Sequence, residues 1–373
     1  MIYLDTAASY PILPEVKKSL LDAFENCYAN SASSHLLGES ALTKVNKVRE
    51  LLADEIGAFP SEIVFTSGAT ESNNVAFKSL LLNDESLSHK KHIVISSIEH
   101  KCIFAICDYF QKLGYEISLV EPDVNGVITV ENVKAAIRED TALVSIMHVN
   151  NELGTINPIA EIGEHCFSKG IIFHSDAAQS FCKTEIDVDD MNIDVMSFSA
   201  HKVGGPKGIG AVYIRDLRKR SLQPVIHGAG QEDGLRGGTV AAPLIIGFGK
   251  AIELFPQVYN YFISEDPKSY FFKKLQENEI EHSINGYGST LPHILSLSLP
   301  NTNVTLLVRD NESSLCLAQG SACSSKEIEA SHVLTSLGLL REQAEHTFRI
   351  SFTHEVTKQD IDFLVTAIKK AAY

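Results

Sequence analysis

The chain has 373 residues, and 44% of them are hydrophobic, enough for a substantial core in one large domain or two modest ones. Its 32 Lys and Arg residues against 47 Asp and Glu residues give a net charge of −15. This charge excludes direct, non-specific binding to nucleic acid, because phosphate contacts need clustered cations. A product could still pass to a partner that modifies nucleic acid.

The N-terminal sequence contains no basic segment and no apolar stretch of signal length, and no run of about 18 apolar residues predicts a membrane span. The chain has 7 cysteines, an odd number, and no two of them form a C-x-x-C pair. Neither a disulfide framework nor a zinc finger fits this spacing. We therefore expect a cytoplasmic protein with reduced thiols, no bound metal and no membrane contact.

Short apolar runs alternate with amphipathic stretches between residues 14 and 255. Val- and Ile-rich runs separated by helices are typical of a mainly parallel sheet with helices on both faces. The predicted strands cover residues 63–66, 92–96, 117–120, 142–148, 171–174, 195–199 and 210–214, and the predicted helices include residues 43–56, 73–82, 103–113 and 159–169. Ligands bind such sheets beyond the carboxyl ends of the strands, so functional side chains are expected just after the strands.

The sequence changes character at residue 256. Residues 256–274 are aromatic and are interpreted as irregular. Three strand-like runs (293–299, 314–317, 348–352) and a terminal helix (358–371) then predict a smaller α+β domain. We expect a large α/β domain with a seven-stranded sheet at 14–255. The smaller domain would comprise residues 256–373, with residues 1–13, too short to fold alone, packed on it.

A lysine follows one of the predicted strands directly. The run Ser197-Phe198-Ser199-Ala200-His201-Lys202 ends an apolar strand and precedes two glycines that allow close backbone approach. A lysine in this setting suits a Schiff base with an aldehyde cofactor. A lone lysine after a strand is more often a surface residue, and only the context favours the functional interpretation.

Two further segments follow strands in the same way. Asp176 ends the run Ile171-Ile172-Phe173-His174-Ser175-Asp176, where a buried carboxylate needs a partner such as a protonated pyridine nitrogen; a helix N-cap is the alternative. The run Thr66-Ser67-Gly68-Ala69-Thr70-Glu71-Ser72 opens a helix, whose N-terminus favours an anion such as phosphate. An ordinary capped loop would have the same sequence, and the P-loop pattern is absent.

Four more residues carry side chains suited to catalysis. His100 could stack on an aromatic ring and move protons, and Asn151 could donate a hydrogen bond to a ring oxygen. Arg349 offers a planar fork for a carboxylate. Structural roles remain the alternative for each. Cys323 follows Gly320, Ser321 and Ala322, which predicts a mobile, exposed loop suited to a travelling nucleophile, whereas Cys102, Cys107 and Cys316 fit buried, inert thiols better.

Together these segments resemble the cysteine desulfurases, within the class V aminotransferase group of fold-type I enzymes that use pyridoxal 5'-phosphate (PLP). The resemblance runs through nearly the whole chain in order. It includes the runs at residues 3–8, 30–38 and 236–239. The motifs Ser199-x-His201-Lys202 and Gly320-Ser321-Ala322-Cys323 are jointly very specific.

The resemblance implies a role for each residue. Lys202 would form the Schiff base and then move the substrate proton, and Cys323 would attack the substrate sulfur and become a persulfide, leaving L-alanine. Arg349 would bind the carboxylate of L-cysteine, and Thr239 would reach the phosphate of a neighbouring subunit in a homodimer. The other implied cofactor contacts are Asp176 at the pyridine nitrogen, Gln179 and Asn151 at the ring hydroxyl, His100 on the ring, and Ala69, Thr70, Ser199 and His201 around the phosphate.

The sequence also departs from the family pattern. Ala318-Gln319 stands where many relatives have small hydroxyl residues, the chain ends soon after Ala371, and the stretch from 256 to 281 is interpreted as shortened. These differences favour a dedicated acceptor, such as a tRNA-thiolating or DNA-phosphorothioating enzyme, over an iron–sulfur scaffold. A selenocysteine lyase or another PLP-dependent C–S lyase is the nearest alternative. A non-catalytic PLP-binding partner predicts a lost lysine or nucleophile, yet both residues are present.

Overall fold

The computed structural model describes the backbone of residues 1–82, 87, 89–319, 321–324 and 327–373, and the side chains of these residues outside 321–329. Its strands, in chain order, are β1 (Ile2–Tyr3), β2 (Ile63–Thr66), β3 (His92–Ser96), β4 (Glu116–Val120), β5 (Thr141–Ser145), β6 (Ile172–Asp176), β7 (Val195–Ser199), β8 (Gly210–Ile214), β9 (Ser283–Asn285), β10 (Ile294–Ser298), β11 (Leu315–Cys316), β12 (Ala318–Gln319), β13 (Ser321–Ser324), β14 (Glu327–Ala330) and β15 (Thr347–Ser351). Its helices are α1 (Pro14–Asn26), α2 (Leu36–Glu55), α3 (Ala69–Leu81), α4 (Lys101–Lys112), α5 (Val130–Ala136), α6 (Ile159–Ser168), α7 (Ala242–Ser264), α8 (Pro267–Glu277), α9 (Val304–Asp310), α10 (His332–Ser336), α11 (Arg341–Glu345) and α12 (Lys358–Lys370).

The large sheet has seven strands in the order β2-β8-β7-β6-β5-β3-β4. All the pairs from β7 to β4 are parallel, whereas β8 runs antiparallel to both of its neighbours. Six of the strands are buried at every residue, as expected for Val- and Ile-rich strands covered on both faces. This confirms the predicted mainly parallel, seven-stranded α/β sheet.

The C-terminal part forms a second, antiparallel sheet in the order β12-β15-β10-β9. Strand β1 pairs in parallel with β11, and Thr6 donates a hydrogen bond to the Phe352 carbonyl, so the N-terminal segment contacts this part. The same segment also reaches the large sheet, because the Tyr10 N–H donates to the His201 carbonyl. The opening residues therefore bridge both sheets.

The interpretation of residues 256–274 as irregular is wrong. Helix α7 continues through Pro256 to Ser264, and α8 follows after two residues. Phe255, Tyr259 and Phe262, spaced four and three residues apart, are buried on one face of α7. The expected boundary between residues 255 and 256 lies inside this helix, and the division into two domains stays a prediction.

Candidate active site

A cavity of about 660 Å³ opens beyond the carboxyl ends of the central strands, where the sheet topology predicts a ligand site. Its walls come from the N-terminal segment, from the first turns of α3 and α4, from the residues after β5, β6 and β7, and from β15. Ten of the predicted site residues line this one cavity: Ala69, Thr70, His100, Asn151, Asp176, Gln179, Ser199, His201, Lys202 and Arg349. The structure therefore brings them together, while the role of each remains a prediction.

Lys202 lies in a single 3₁₀ turn, Ala200–Lys202, that follows β7 directly. Its Nζ atom donates hydrogen bonds to the carbonyl oxygens of Ala7 at 2.6 Å and Ala8 at 2.8 Å. Burial lowers the pKa of Lys202 to about 8, and the nearby Arg349 cation contributes to this shift. A lysine with a lowered pKa has more of its amine in the neutral, nucleophilic form at neutral pH.

Asp176 closes β6 and is almost completely buried, at 5% exposure. Its Oδ2 atom accepts a hydrogen bond from Asn73 Nδ2 at 2.8 Å, and its Oδ1 atom accepts one from the Ala178 N–H at 2.9 Å. A buried carboxylate is costly without a cation, and the described residues place no Lys, Arg or His within salt-bridge distance. A protonated ring nitrogen in the cavity would supply that cation.

The first turn of α3 forms a cradle suited to an anion. The helix begins after Gly68, whose φ of +151° is a conformation that few other residues adopt. A Cβ atom added there would meet only Ser199 Oγ, at 3.8 Å, so the space beside it is open. The first N–H groups of a helix lack intrahelical acceptors, and they favour an anionic ligand.

His201 lies across from this cradle, with its Nδ1 atom 3.3 Å from Ser9 Oγ. Burial lowers the pKa of His201 to about 4, and Lys202 adds to the shift. The imidazole is therefore neutral at pH 7 and offers one ring N–H to a ligand instead of a positive charge.

Arg349 lines the opposite wall from β15. Its Nη2 atom lies 2.5 Å from Asp5 Oδ1, and its Nη1 atom donates to the Asn151 carbonyl at 2.9 Å. The Nε atom is buried and has no partner among the described residues. A guanidinium cation that lines the cavity fits the binding of a carboxylate.

Gln179 completes this part of the cavity. Its Nε2 atom donates to the Ala7 carbonyl at 2.8 Å, and its Oε1 atom accepts from Lys183 Nζ at 3.3 Å. Burial lowers the pKa of Lys183 to about 7. The amide is thus held from both ends beside Lys202.

His100 caps the N-terminus of α4. Its Nδ1 atom accepts a hydrogen bond from the Cys102 N–H at 3.2 Å, and the ring is accessible from the cavity. Desolvation by the surrounding protein lowers the pKa of His100. The ring is therefore neutral near pH 7, with its proton on Nε2.

Thr239 does not line the cavity of its own chain. It is exposed on the loop that follows Arg236, and Arg236 Nε contacts Glu71 Oε1 at 2.9 Å, which ties this loop to the first turn of α3. The backbone at Cys323 forms part of the antiparallel hairpin β13–β14, opposite Ile328, where the sequence predicted a loop. The Cys323 side chain lies outside the described residues.

Sequence reasoning missed three residues of the site. Asn73 contacts Asp176, and Asp5 pairs with Arg349. Cys102 was predicted to be buried, but it is only partly buried and lines the cavity beside His100. Its position two residues after a candidate catalytic histidine was the available signal. The prediction of a buried thiol is correct for Cys107, whereas Cys316 is partly buried.

Comparison with known proteins decides the family. The model of the family "Aminotransferase class-V" matches residues 2–364. A curated relative, the cysteine desulfurase IscS of Pseudomonas savastanoi pv. phaseolicola, is 40% identical over 382 residues, which cover 99% of this chain and 92% of the relative. The chain belongs to the class V aminotransferases and, within them, to the cysteine desulfurases. This confirms the resemblance inferred from the sequence.

Solved structures agree with this assignment. The structure titled "SspA in complex with cysteine" has a TM-score of 0.85 and 43% identity, covering 96% of this chain and all of that one. A NifS-like protein has a TM-score of 0.89 and 32% identity, covering 99% of this chain and 98% of that one. In the described part of the chain, no helix has the length and apolar character needed to cross a bilayer, and no three His, Cys, Asp or Glu side chains are placed to hold a metal ion.

Members of this family use PLP, and the residues of the cavity fit this cofactor. The open cradle at Gly68 suits the phosphate, and the Asp176 carboxylate suits a pyridinium nitrogen. Lys202 lies in the same cavity with a lowered pKa, as a lysine that bonds an aldehyde requires. The cavity would thus offer a suitable group to each of three parts of PLP: the phosphate, the ring nitrogen and the aldehyde.

Proposed function

We propose that the chain takes the sulfur of L-cysteine onto Cys323 as a persulfide and releases L-alanine. The observation that carries this proposal is the presence of Lys202, Asp176 and Arg349 in one cavity. When bound, PLP supplies an electron sink that weakens the bonds around the substrate Cα atom. The protein then has to bind the substrate, move a proton and accept the sulfur.

The described residues divide these tasks. Arg349 binds the substrate carboxylate, for which its cationic side chain on the cavity wall suits it. Asp176 keeps the ring nitrogen protonated. Lys202 holds the cofactor and, once released, moves the proton from Cα, for which its lowered pKa suits it. Neutral His100 assists the proton transfer from the first turn of α4.

Cys323 carries the sulfur in this proposal. As a thiolate it attacks the substrate sulfur, the bond between Cβ and sulfur breaks, and the electron pair of that bond stays with the carbon skeleton that becomes alanine after protonation. An acceptor protein then removes the outer sulfur by attack of its own thiol on the persulfide.

Alanine and sulfide release test the proposal. Holoenzyme is supplied with L-cysteine and a thiol reductant, and wild type is compared with Cys323→Ala. Cys316→Ala, seven residues earlier in the chain, is the matched control. We expect both products from wild type and the control and neither from Cys323→Ala. Equal release of alanine and sulfide from Cys323→Ala would mean that the sulfur leaves without passing through Cys323, and would contradict the proposal.

A selenocysteine lyase is the second candidate, because the same cavity would bind selenocysteine through the same groups. Product analysis separates the two activities. Selenide from selenocysteine without sulfide from L-cysteine would establish the lyase and contradict the desulfurase.

We also propose that the protein is a homodimer in the cytoplasm. Thr239 is exposed outside the cavity of its own chain, which suits a contact with the cofactor phosphate of a second copy. Exposed apolar side chains on α1 and α2, among them Phe24 and Leu36, suit burial in an interface. Mixing Lys202→Ala protomers with Thr239→Arg protomers tests this: in the mixed dimer one site has both residues intact, so activity should return.

The acceptor is proposed to be a dedicated thiolation enzyme, for tRNA thiolation or DNA phosphorothioation, because Ala318-Gln319 departs from the small hydroxyl residues of many relatives. Affinity capture from native extract tests the proposal, and recovery of an iron–sulfur scaffold alone would contradict it.

A further inference from the structure

A chain of hydrogen bonds joins Asp176 to His100 along the cavity wall. Asn73 Nδ2 donates to Asp176 Oδ2 at 2.8 Å and to Cys102 Sγ at 3.3 Å, and Cys102 Sγ lies 3.0 Å from His100 Nδ1. The four residues come from α3, from β6 and from the start of α4. Three contacts thus connect the carboxylate that we assign to the ring nitrogen with the imidazole that we assign to the ring.

The direction of the two hydrogen bonds that Asn73 makes is fixed. If the Asn73 amide were turned over, its oxygen would face the Asp176 carboxylate, so the nitrogen must donate to both neighbours. This orientation leaves Asn73 Oδ1 buried without a partner among the described residues, which is a cost that the two donated bonds offset. The sulfur of Cys102 therefore receives a hydrogen bond from the amide.

The Cys102 thiol has its own proton available for His100. Burial raises the pKa of Cys102 to about 11, so the group is a thiol, not a thiolate, near neutral pH. A thiol that accepts from Asn73 can donate its hydrogen to His100 Nδ1. The backbone N–H of Cys102 also donates a hydrogen bond to His100 Nδ1.

We propose that Cys102 is a positioning residue, which keeps His100 neutral with its proton on Nε2 by donating its thiol hydrogen to Nδ1. A proton on Nδ1 would face two donors, the thiol and the backbone N–H of Cys102, so the doubly protonated, charged form of the His100 ring is disfavoured. The other titratable groups that act on His100 are Asp176, Lys202, His332 and Lys101, and none of them changes when Cys102 is replaced. The part that His100 plays in proton transfer rests on the proposed function, whereas its protonation does not.

Ring titration by NMR tests this proposal in the holoenzyme and in the cofactor-free protein. The protein is labelled with ¹³Cε1-histidine, and the signal of His100 among the 14 histidines is identified with a His100→Gln variant. We expect Cys102→Ala to raise the pKa of His100 by roughly half to one unit, as for the loss of one hydrogen bond. The acidic limb of the pH profile of alanine formation should move up by the same amount.

Three variants make the result specific. Cys102→Ser keeps a donor and should show the wild-type titration of His100. Cys102→Val fills the space without a donor and should behave like Cys102→Ala. The valine variant also keeps the test possible if the alanine variant does not fold. Cys107→Ala, a buried thiol on the same helix outside the cavity, is the matched control and should leave His100 unchanged.

The proposal is overturned if folded Cys102→Ala and Cys102→Val leave the His100 titration unchanged, or if Cys102→Ser or Cys107→Ala shifts it as far as they do. Because the titration is read without substrate, this failure is distinct from a failure of the desulfurase activity.

Discussion

The Nζ atom of Lys202 lies 2.6 Å from the carbonyl oxygen of Ala7, although the two residues are 195 positions apart. The N-terminal segment thus closes over the residue that we propose to hold the cofactor. This contact places the amine in a buried, polar environment that lowers its pKa to about 8. The reactivity of Lys202 therefore depends on a segment that is distant from it in the sequence.

The lowered pKa of Lys202 predicts how fast the protein binds its cofactor covalently. With a pKa of about 8, roughly one amine in ten is neutral at pH 7, against about one in 3,000 for an ordinary lysine. When PLP is added to cofactor-free protein, we expect the rate of covalent attachment, measured by visible absorbance, to rise about tenfold from pH 7 to 9 and then to level off.

Lys202→Ala should bind the cofactor without the covalent bond, and Lys207→Ala, which lines the same cavity, should retain the bond. A rate that continues to rise steeply beyond pH 9 would show that the pKa of Lys202 is ordinary.

Replacing Arg349 should weaken substrate binding more than it slows the chemistry. Arg349→Gln removes the charged guanidinium. Because the loss of hydrogen bonds to a charged group weakens substrate binding, we expect the KM for L-cysteine to rise about 10- to 100-fold, with a smaller change in kcat. Steady-state kinetics of alanine formation measure both constants. Arg341→Gln, on an exposed surface pair with Glu345, is the control and should leave KM unchanged. A fall in kcat alone would place Arg349 outside the substrate contact.

Replacing Asp176 should slow the chemistry while the cofactor stays bound. Asp176→Asn keeps the size of the side chain but removes the charge that holds the ring nitrogen protonated, and the loss of such electrostatic stabilisation reduces kcat by about 100- to 1,000-fold. Alanine formation and bound cofactor are measured on the same sample. Asp54→Asn, exposed on α2, serves as the control. Activity near wild type would mean that Asp176 only caps the loop after β6.

The sequence predicted the large sheet well, because its strands are short, buried and rich in β-branched residues. The predicted bounds of β2, β3, β7 and β8 coincide with the observed ones. The start of α6 was predicted correctly, whereas the starts of α2, α3 and α4 were predicted too late, at residue 73 for α3, which begins at Ala69. The first turn of α3 carries small and polar residues around the anion cradle, and apolar periodicity does not extend into such a turn.

The second half of α7 was not predicted, because Pro256 was taken as the end of regular structure. Proline removes one backbone donor, but the buried face at Phe255, Tyr259 and Phe262 holds the helix together across it. The spacing of these aromatic residues was readable in the sequence and should have outweighed the proline.

Most of the predicted site residues follow a strand or open a helix beside the sheet edge, whereas Arg349 lies within β15. Asn73 and Asp5 were missed because their part in the site depends on contacts across the fold. Asn73 is 103 positions from Asp176, and Asp5 is 344 positions from Arg349. No local pattern encodes such distances, so the supporting contacts of a site emerge only from the three-dimensional structure.

The central claim is that sulfur moves from L-cysteine to Cys323, and one measurement tests it most directly. Holoenzyme is mixed with an equimolar amount of ³⁴S-labelled L-cysteine without reductant, quenched with an alkylating agent and analysed by peptide mass spectrometry. We predict one labelled sulfur added to the peptide that contains Cys323, in step with the alanine formed. Alanine formed without labelled sulfur on Cys323, or with the label on another cysteine, would contradict the account.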